Sequence, residues 1–150
     1  MKTVRDILQA KGGDVWSIFS GATVLDALKF MSEKEIGALV VKGAAGEVAG
    51  VISERDYARK VILVGKSSSS TLVEEIMTPA DRMIIVRPEN TIEDCMDLFT
   101  GNNIRHLPVL DGSKLIGMIS SRDVIKILIA EEKNRIEYLY DRLDEMRQLT

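Results

Sequence analysis

Two segments of the chain carry hydrophobic residues at the three- and four-residue spacing of an amphipathic helix. A threonine precedes each segment and an aspartate follows that threonine by three positions, in the pairs Thr23–Asp26 and Thr91–Asp94. This spacing resembles a capping box, which satisfies the first free N–H groups of a helix, so we expect helices to begin just after both threonines. The apolar positions are Val24, Leu25, Leu28 and Met31 in the first segment and Ile92, Cys95, Met96 and Phe99 in the second.

Short apolar runs on either side of these helices predict β-strands. One extended segment precedes each helix, at 15–19 and at 84–86. After each helix come two apolar runs separated by turn residues, as in a β-hairpin. Ser53 and Ser120 are favourable N-caps for closing helices at about 54–64 and 121–133. The hairpin runs are 38–41 and 48–52 in the first half of the chain and 107–110 and 115–119 in the second.

The element order β-α-β-β-α occurs twice because the sequence is duplicated. Four blocks of the first half return in the same order in the second: 4–8 as 73–77, 23–28 as 91–96, 36–41 as 104–109, and 50–56 as 117–123. The predicted fold class is therefore α/β (α+β) with two repeats. We assign residues 1–68 to repeat 1, including an N-terminal helix, 69–130 to repeat 2, and 131–150 to a C-terminal helical extension.

The C-terminal extension has no counterpart in the first half. From Val124 to Met146 the sequence stays helical, without glycine or proline. A heptad-like apolar stripe flanked by charge runs along it, formed by Ile129, Ile136, Leu139, Leu143 and Met146. Two interpretations stay open: the stripe packs on its own domain, or it mediates self-association, for which about two heptads would be marginal in isolation.

Composition narrows the functional classes. The 150 residues are 45% apolar and 29% charged, which is typical of a globular chain, and the net charge of −3 gives no general attraction to nucleic acid or anionic lipid. No apolar stretch approaches the 18 residues of a membrane span. The single cysteine, Cys95, excludes an internal disulfide. We expect a soluble cytoplasmic protein with no nucleic-acid partner and no membrane insertion.

Catalytic chemistry finds little support in the sequence. One histidine and one cysteine cannot supply a site of two histidines or four cysteines within one chain. The serine run 67–70 has no adjacent histidine, and no phosphate-binding glycine loop is present. A Cys95–His106 dyad is conceivable, but Cys95 lies on the apolar side of its predicted helix and is expected to be a buried structural thiol. We predict no catalytic residue and no metal ligand.

The pattern Ser-x-Arg-Asp, which opens both closing helices, suggests an anion site. A serine hydroxyl and free N–H groups at a helix start can hold a phosphate, an arginine can pair with it, and an aspartate can accept two ribose hydroxyls. An ordinary capping box explains the serine and aspartate equally well, but it does not call for the arginine. The two sets are Ser53, Arg55 and Asp56, and Ser120, Arg122 and Asp123.

The strand before each hairpin turn adds further candidates. Arg105 and His106 precede an apolar strand that contains Pro108, and a proline suits an edge or ligand-facing strand because it lacks an N–H donor. The matched positions in repeat 1 are Gly37, Ala38 and Val40, which cannot make charged contacts. If each repeat forms a site, the two sites should therefore differ.

These blocks resemble a tandem pair of CBS domains, also called a Bateman module, in the form of a small stand-alone protein. The resemblance extends from about Val4 to Ile129. Its specific marks are the segment 104–109, Ile-Arg-His-Leu-Pro-Val, and the Gly-x-x-Ser-x-x-Asp endings at 50–56 and 117–123.

The resemblance implies two repeats packed about a pseudo-twofold axis, a homodimer, and non-covalent binding of AMP, ADP, ATP, NAD(H) or S-adenosylmethionine. By position, Asp56 and Asp123 would hold ribose hydroxyls and Ser53 and Ser120 would face phosphate. The phosphate charge would be met by Arg55, Arg105 and Arg122, and the adenine surrounded by Gly37, Ala38, Val40, Arg105, His106 and Pro108. The implied function is non-catalytic regulation, including energy sensing, of an unknown protein partner in trans. The alternative is a scaffold that binds no nucleotide.

Overall fold

The computed structural model describes residues 1–149 and contains two repeats: the first is the predicted β-α-β-β-α unit, and the second has the same order except that its opening strand is reduced to an isolated bridge. Repeat 1 comprises β1 (Ser17–Phe19), α2 (Val24–Lys34), β2 (Ala38–Lys42), β3 (Val48–Ser53) and α3 (Glu54–Tyr57), after the N-terminal helix α1 (Val4–Lys11). The connection contains α4 (Val73–Ile76), β4 (Thr78–Pro79) and a 3₁₀ turn (Ala80–Arg82). Repeat 2 comprises α5 (Ile92–Asn102), β5 (His106–Asp111), β6 (Lys114–Ser120) and α6 (Ser121–Gln148).

The predicted capped helices and hairpins are confirmed, while both closing helices differ from the expected lengths. In repeat 1 the helix expected over 54–64 is α-helical only to Tyr57 and continues as a π-helical turn, Ala58–Ile62. In repeat 2 the helix does not end near residue 133 but runs unbroken to Gln148. No glycine or proline interrupts that stretch, so nothing in its sequence stops the helix.

The two sheets use the same hairpin in different surroundings. Repeat 1 has a four-stranded sheet in the order β1-β2-β3-β4, with β1 parallel to β2 and the other pairs antiparallel. Repeat 2 has the antiparallel pair β5-β6. The piece expected as a strand at 84–86 forms only an isolated parallel bridge, Val86 with Val109, at the place that β1 takes in repeat 1.

The short helix that precedes each repeat packs on the other repeat. From α1, Val4 and Ile7 are buried in the core of repeat 2, beside Ile119. From α4, Val73 and Ile76 are buried in the core of repeat 1. The N-terminal helix thus belongs by packing to repeat 2, although it stands in sequence before repeat 1.

Backbone hydrogen bonds make this exchange symmetric. The N–H groups at the start of α1 donate to carbonyls before α5: Val4 to Asn90 at 2.9 Å and Arg5 to Pro88 at 3.0 Å. The start of α4 repeats the pattern before α2: Val73 to Ala22 at 2.8 Å and Glu74 to Ser20 at 3.1 Å. The same free donors at a helix start are therefore satisfied by the opposite repeat in both cases, as a pseudo-twofold relation requires.

A glycine in each hairpin permits the exchanged segment to approach. A Cβ atom on Gly117 would lie 2.5 Å from Leu8 Cδ2 on α1. A Cβ atom on Gly50 would lie 2.3 Å from the carbonyl oxygen of Thr78 and 3.0 Å from Met77 Sδ. The glycine that opens each Gly-x-x-Ser-x-x-Asp ending is thus explained by close packing: α1 packs on Gly117 of repeat 2, and the segment after α4 packs on Gly50 of repeat 1.

The distal part of α6 lies apart from the two cores. Every described residue from 129 to 149 is exposed. The apolar stripe keeps about half of its surface open, with Ile136 at 46% and Leu139 at 51% exposure. The interpretation that the stripe packs on its own domain is therefore wrong.

Candidate functional site

Two cavities open where the hairpins of the two repeats face each other. The first has a volume of about 420 Å³ and the second about 840 Å³. Both sizes fall in the range of roughly 300–1,000 Å³ that is typical of small-molecule sites. The cavities share one wall, formed by Gly37 and Ala38 of repeat 1 and Arg105 and His106 of repeat 2.

Close packing of backbone and imidazole forms the shared wall. A Cβ atom on Gly37 would come within 3.2 Å of His106 Cε1, so the missing side chain at Gly37 leaves space for the imidazole. The carbonyls of Gly37 and Arg105 accept hydrogen bonds from the first residues of the closing helices, Glu54 N at 3.0 Å and Ser121 N at 2.9 Å. Each closing helix is thus tied to the strand that carries the shared wall.

The two aspartates cap their helices and also line the cavities. Asp56 Oδ2 accepts from Ser53 N at 2.9 Å and lies in the first cavity. Asp123 Oδ2 accepts from Ser120 N at 2.8 Å and lies in the second. The serine hydroxyls accept in return from Asp56 N at 3.3 Å and Asp123 N at 3.2 Å. The capping interpretation is therefore confirmed, and it places both carboxylates at a cavity wall.

A lysine pairs with each of these carboxylates. In the first cavity Lys60 Nζ lies 3.0 Å from Asp56 Oδ1 and donates to the Ile76 carbonyl at 2.8 Å. In the second, Lys11 Nζ lies 2.8 Å from Asp123 Oδ2 and donates to the Met118 carbonyl at 2.8 Å. Each cavity carboxylate is therefore already paired with an ammonium group.

The predicted arginines are divided between the cavities. Arg55 lines the first cavity and donates from a terminal guanidinium nitrogen to the Asn103 carbonyl at 2.7 Å, which ties repeat 1 to repeat 2. Arg122 lines the second cavity, and Arg105 lines both. Arg59 adds a further guanidinium to the first cavity, and Lys126 a further ammonium to the second. Each cavity is therefore rich in cationic groups although the chain as a whole is acidic.

Burial keeps the shared histidine neutral. Desolvation, aided by the charge of Lys11, lowers the pKa of His106 from 6.5 to about 4. Burial alone would raise the pKa of Asp123, but hydrogen bonds from Lys11 and from the Ser120 backbone hold that pKa below its usual value of 3.8. At neutral pH the second cavity thus combines an uncharged imidazole with an ionised carboxylate, which suits a donor such as a sugar hydroxyl.

Ten of the twelve predicted site residues line a cavity, and two do not. Within the described chain, Val40 and Pro108 are buried and line neither cavity. Their cross-strand partners, Val51 and Met118, lie beside them on the same face of each hairpin and do line the cavities. Contact of Val40 and Pro108 with a ligand therefore stays a prediction.

Cys95 is a buried thiol, as predicted. It lies in the core of repeat 2 with no exposed surface, and burial raises its pKa to about 11. Among residues 1–149, no three histidine, cysteine, aspartate or glutamate side chains are grouped so that they could hold a metal ion. Within the same residues no helix has the length and apolar character needed to cross a bilayer.

Sequence reasoning missed further residues of the second cavity, among them Lys11 and Trp16. Lys11 reaches Asp123 across 112 positions of sequence, and the contact depends on the exchanged packing of α1. Trp16 packs edge-on against Phe30, with Lys34 Nζ 4.2 Å from its ring centroid. The match of residues 4–8 with 73–77 was the available signal, since it showed that a helix accompanies each repeat.

The two cavities contain groups that could bind an anionic ligand with hydroxyl groups. Carboxylates can accept hydrogen bonds from hydroxyls, and guanidinium and ammonium groups can pair with phosphate. Val51 and Ile104 in the first cavity and Trp16 and Ile36 in the second provide apolar surface for a planar ring.

Comparison with known proteins points to one family. The family model for the CBS domain matches residues 4–63 and 73–130. The chain is 40% identical over 144 residues to the CBS domain-containing protein CBSX3, mitochondrial, of Arabidopsis thaliana, covering 91% of this chain and 69% of that protein. A putative signal-transduction protein with CBS domains from Burkholderia ambifaria is 47% identical, with a TM-score of 0.81 over 86% of this chain and 95% of that one. The CBS domain pair of protein MJ0100, solved in complex with 5-methylthioadenosine and S-adenosyl-L-methionine, has the same fold at 22% identity, with a TM-score of 0.74 over 87% of this chain and 98% of that one.

Proposed function

Since this chain belongs to the CBS-domain family and carries two CBS domains as a pair, we propose that it is a non-catalytic regulatory module that binds an adenosine-containing ligand. The ligand would be AMP, ADP, ATP, NAD(H) or S-adenosylmethionine, held non-covalently between the repeats. Its binding would then be communicated to a protein partner in trans. Such signalling requires that the ligand bind one arrangement of the repeats better than another.

One observation carries the proposal: the same set of groups is presented to a cavity twice. Each cavity has a capping aspartate and its partner serine on the wall, and arginine lines the same space. Capping alone accounts for the serine and the aspartate. It does not account for the repeated arginine or for the cavity in front of it.

We assign the parts of the ligand by this chemistry. Asp56 and Asp123 would accept from the ribose hydroxyls, with the phosphate near the serine at each helix start. Arg105 would serve whichever cavity holds the phosphate, because it lines both. The base would lie against the apolar surface around Ala38. The adenosine-containing ligands of the MJ0100 domain pair, which shares the fold, support this class of ligand.

A scaffold without a physiological nucleotide is the second candidate. It is favoured by the fact that both carboxylates already have lysine and backbone partners in the protein without ligand. A satisfied carboxylate needs no ligand to stabilise the fold, so the arrangement of the site is compatible with a purely structural role.

Self-association forms part of the proposal. The exposed stripe on α6 has isoleucine or leucine at one heptad position (Ile129, Ile136, Leu143) and, after Glu132, leucine or methionine at the other (Leu139, Met146). Isoleucine at the first position with leucine at the second favours two parallel strands, so we propose a homodimer in which a second copy of α6 covers this stripe.

A thermal-shift screen tests the ligand class. Purified protein, confirmed free of nucleotide by its absorbance, is heated with AMP, ADP, ATP, NADH, S-adenosylmethionine or GTP. A ligand at a hundred times its Kd should stabilise the folded state by about 2.7 kcal/mol, or several degrees in Tm. Stabilisation by adenine ligands and not by GTP supports the proposal. No shift with any adenine ligand favours the scaffold.

A further inference from the structure

The lysines that pair with the two cavity carboxylates come from different parts of the fold. Lys60 stands one helical turn after Asp56, so the pair in the first cavity is local. Lys11 is the last residue of α1 and reaches Asp123 from an element that packs across the hairpin. At the duplicated positions Lys11 corresponds to Ala80, and Lys60 corresponds to Ile127. The two cavities are thus alike in their carboxylates but not in the origin of their ammonium groups.

Anchoring of α1 sets the position of Lys11. Leu8 packs against Gly117 of β6, and Ile7 is buried in the core of repeat 2. Gly12 follows in the left-handed region, with φ of 95°, and its N–H donates to the Leu8 carbonyl at 2.8 Å, which ends the helix directly after Lys11. The Lys11 ammonium group is therefore delivered to the cavity from a fixed base, while its four-carbon stem stays flexible.

A ribose hydroxyl that binds Asp123 at Oδ2 competes with this lysine for the same oxygen. Asp123 Oδ2 already accepts from Lys11 Nζ at 2.8 Å and from Ser120 N at 2.8 Å. A hydroxyl that takes the place of Lys11 leaves an ammonium group without its anion, at a cavity wall where the side chain is 37% exposed. The released ammonium group needs a new anionic partner, and the phosphate of the same ligand can supply one because a lysine acts as a mobile point charge.

We propose that Lys11 determines the specificity of the second cavity by pairing with Asp123 in the free protein and with the ligand's phosphate in the bound one. The cavity then favours phosphorylated adenosine over adenosine itself. This inference rests on the proposed nucleotide-binding function and adds to it the residue that distinguishes a nucleotide from a nucleoside.

Exchange of Lys11 for methionine separates this role from simple support of the helix. The variant Lys11→Met keeps an apolar stem of similar length but has no charge. It frees Asp123 for the ribose and removes the phosphate partner, so affinity for adenosine should rise by a few-fold while affinity for AMP falls about tenfold. A residue that only anchors α1 would shift both affinities in the same direction.

The fluorescence of Trp16 reports on the second cavity. Trp16 is the single tryptophan of the chain and lines that cavity and not the first among the described residues. Intrinsic fluorescence is titrated with adenosine and with AMP in the wild type, Lys11→Met, Lys11→Arg and Lys114→Met. Lys114 is an exposed lysine at the hairpin tip and serves as the matched charge control, whereas Lys11→Arg should retain the preference for AMP.

Each outcome decides the matter. Opposite changes for adenosine and AMP in Lys11→Met, with wild-type behaviour in Lys114→Met, support the inference. Equal losses for both ligands overturn the role of Lys11 and leave the nucleotide-binding function standing. A thermal shift with AMP that Asp123→Asn retains in full, with a silent Trp16, also overturns it, because AMP then binds outside the second cavity. Absence of both signals in the wild type overturns the proposed function together with this inference.

Discussion

Replacing Asp123 by asparagine separates the two tasks that the structure gives this side chain. The carboxylate caps α6 by accepting from Ser120 N at 2.8 Å, and it faces the second cavity. Asparagine retains an oxygen that can accept from the same N–H, so the cap survives. It removes the negative charge that the ribose hydroxyls would meet.

The expected magnitudes differ for stability and for binding. The ion pair with Lys11 is partly open to solvent, with 37% of the lysine side chain and 18% of the aspartate side chain exposed, so its loss should cost at most about 1 kcal/mol. For a chain of 150 residues that is a fall in Tm of roughly 2–4 °C. Hydrogen bonds to a charged acceptor contribute about 1.5–3 kcal/mol each, so affinity for an adenine nucleotide at the second cavity should fall at least about tenfold.

Asp123→Ala is the matched variant, because it removes the cap as well. Loss of an N-terminal cap costs about 0.5–2 kcal/mol in addition, so the alanine variant should melt below the asparagine variant while binding equally weakly. Tm is measured by differential scanning calorimetry and affinity by the Trp16 fluorescence titration. If Asp123→Asn binds AMP like the wild type, the carboxylate is only a cap and the ribose assignment is refuted.

Three further predictions concern the fold, the terminal helix and pH. Gly50→Ala should lower the free energy of unfolding in urea by about 1–3 kcal/mol, because its Cβ would clash with the Thr78 carbonyl oxygen. The control Gly101→Ala in α5 has open space around it and should be neutral or stabilising. Equal effects of the two variants would argue against the packing of the 77–78 segment on repeat 1. If α6 holds a homodimer, removing the residues after 130 should convert the dimer to a monomer in sedimentation equilibrium. A truncated protein that stays a dimer would refute that contact. Burial lowers the pKa of His106 from 6.5 to about 4 in the folded protein, so the unfolded chain binds a proton first as the pH falls. The free energy of unfolding should therefore decrease between pH 6.5 and 4, and His106→Gln should flatten that decrease. An unchanged pH dependence in the variant would contradict the burial argument.

The repeat and the elements within it could be predicted because their signals are local. Thr23 and Thr91 accept from the N–H of the third helical residue at 3.1 Å, as their capping spacing indicates. The apolar runs in β2 and β5 likewise place Leu39 and Leu107 in the cores. Such patterns depend on neighbours three or four residues away, which the sequence displays directly.

The parts that could not be predicted depend on distant contacts. The packing of α1 on repeat 2 depends on how the two repeats are arranged, and no single segment of the sequence specifies that arrangement. Lys11 was therefore missed as a cavity residue, although its helix was visible as part of the repeat. Val40 and Pro108 were expected at the ligand, but they are buried and line neither cavity, whereas their cross-strand partners Val51 and Met118 do. The π-helical turn at Ala58–Ile62 interrupts a segment whose composition is that of an ordinary helix.

The central claim, an adenosine nucleotide bound between the two repeats, is tested most directly by isothermal titration calorimetry of nucleotide-free protein with AMP, ATP and GTP. The account predicts saturable binding of AMP or ATP at one or two sites per chain and no binding of GTP. It also predicts that the double variant Asp56→Asn/Asp123→Asn remains folded but shows no heat of binding with AMP or ATP. Folded wild-type protein that binds neither adenine nucleotide, or a double variant that binds them as tightly as the wild type, would contradict it.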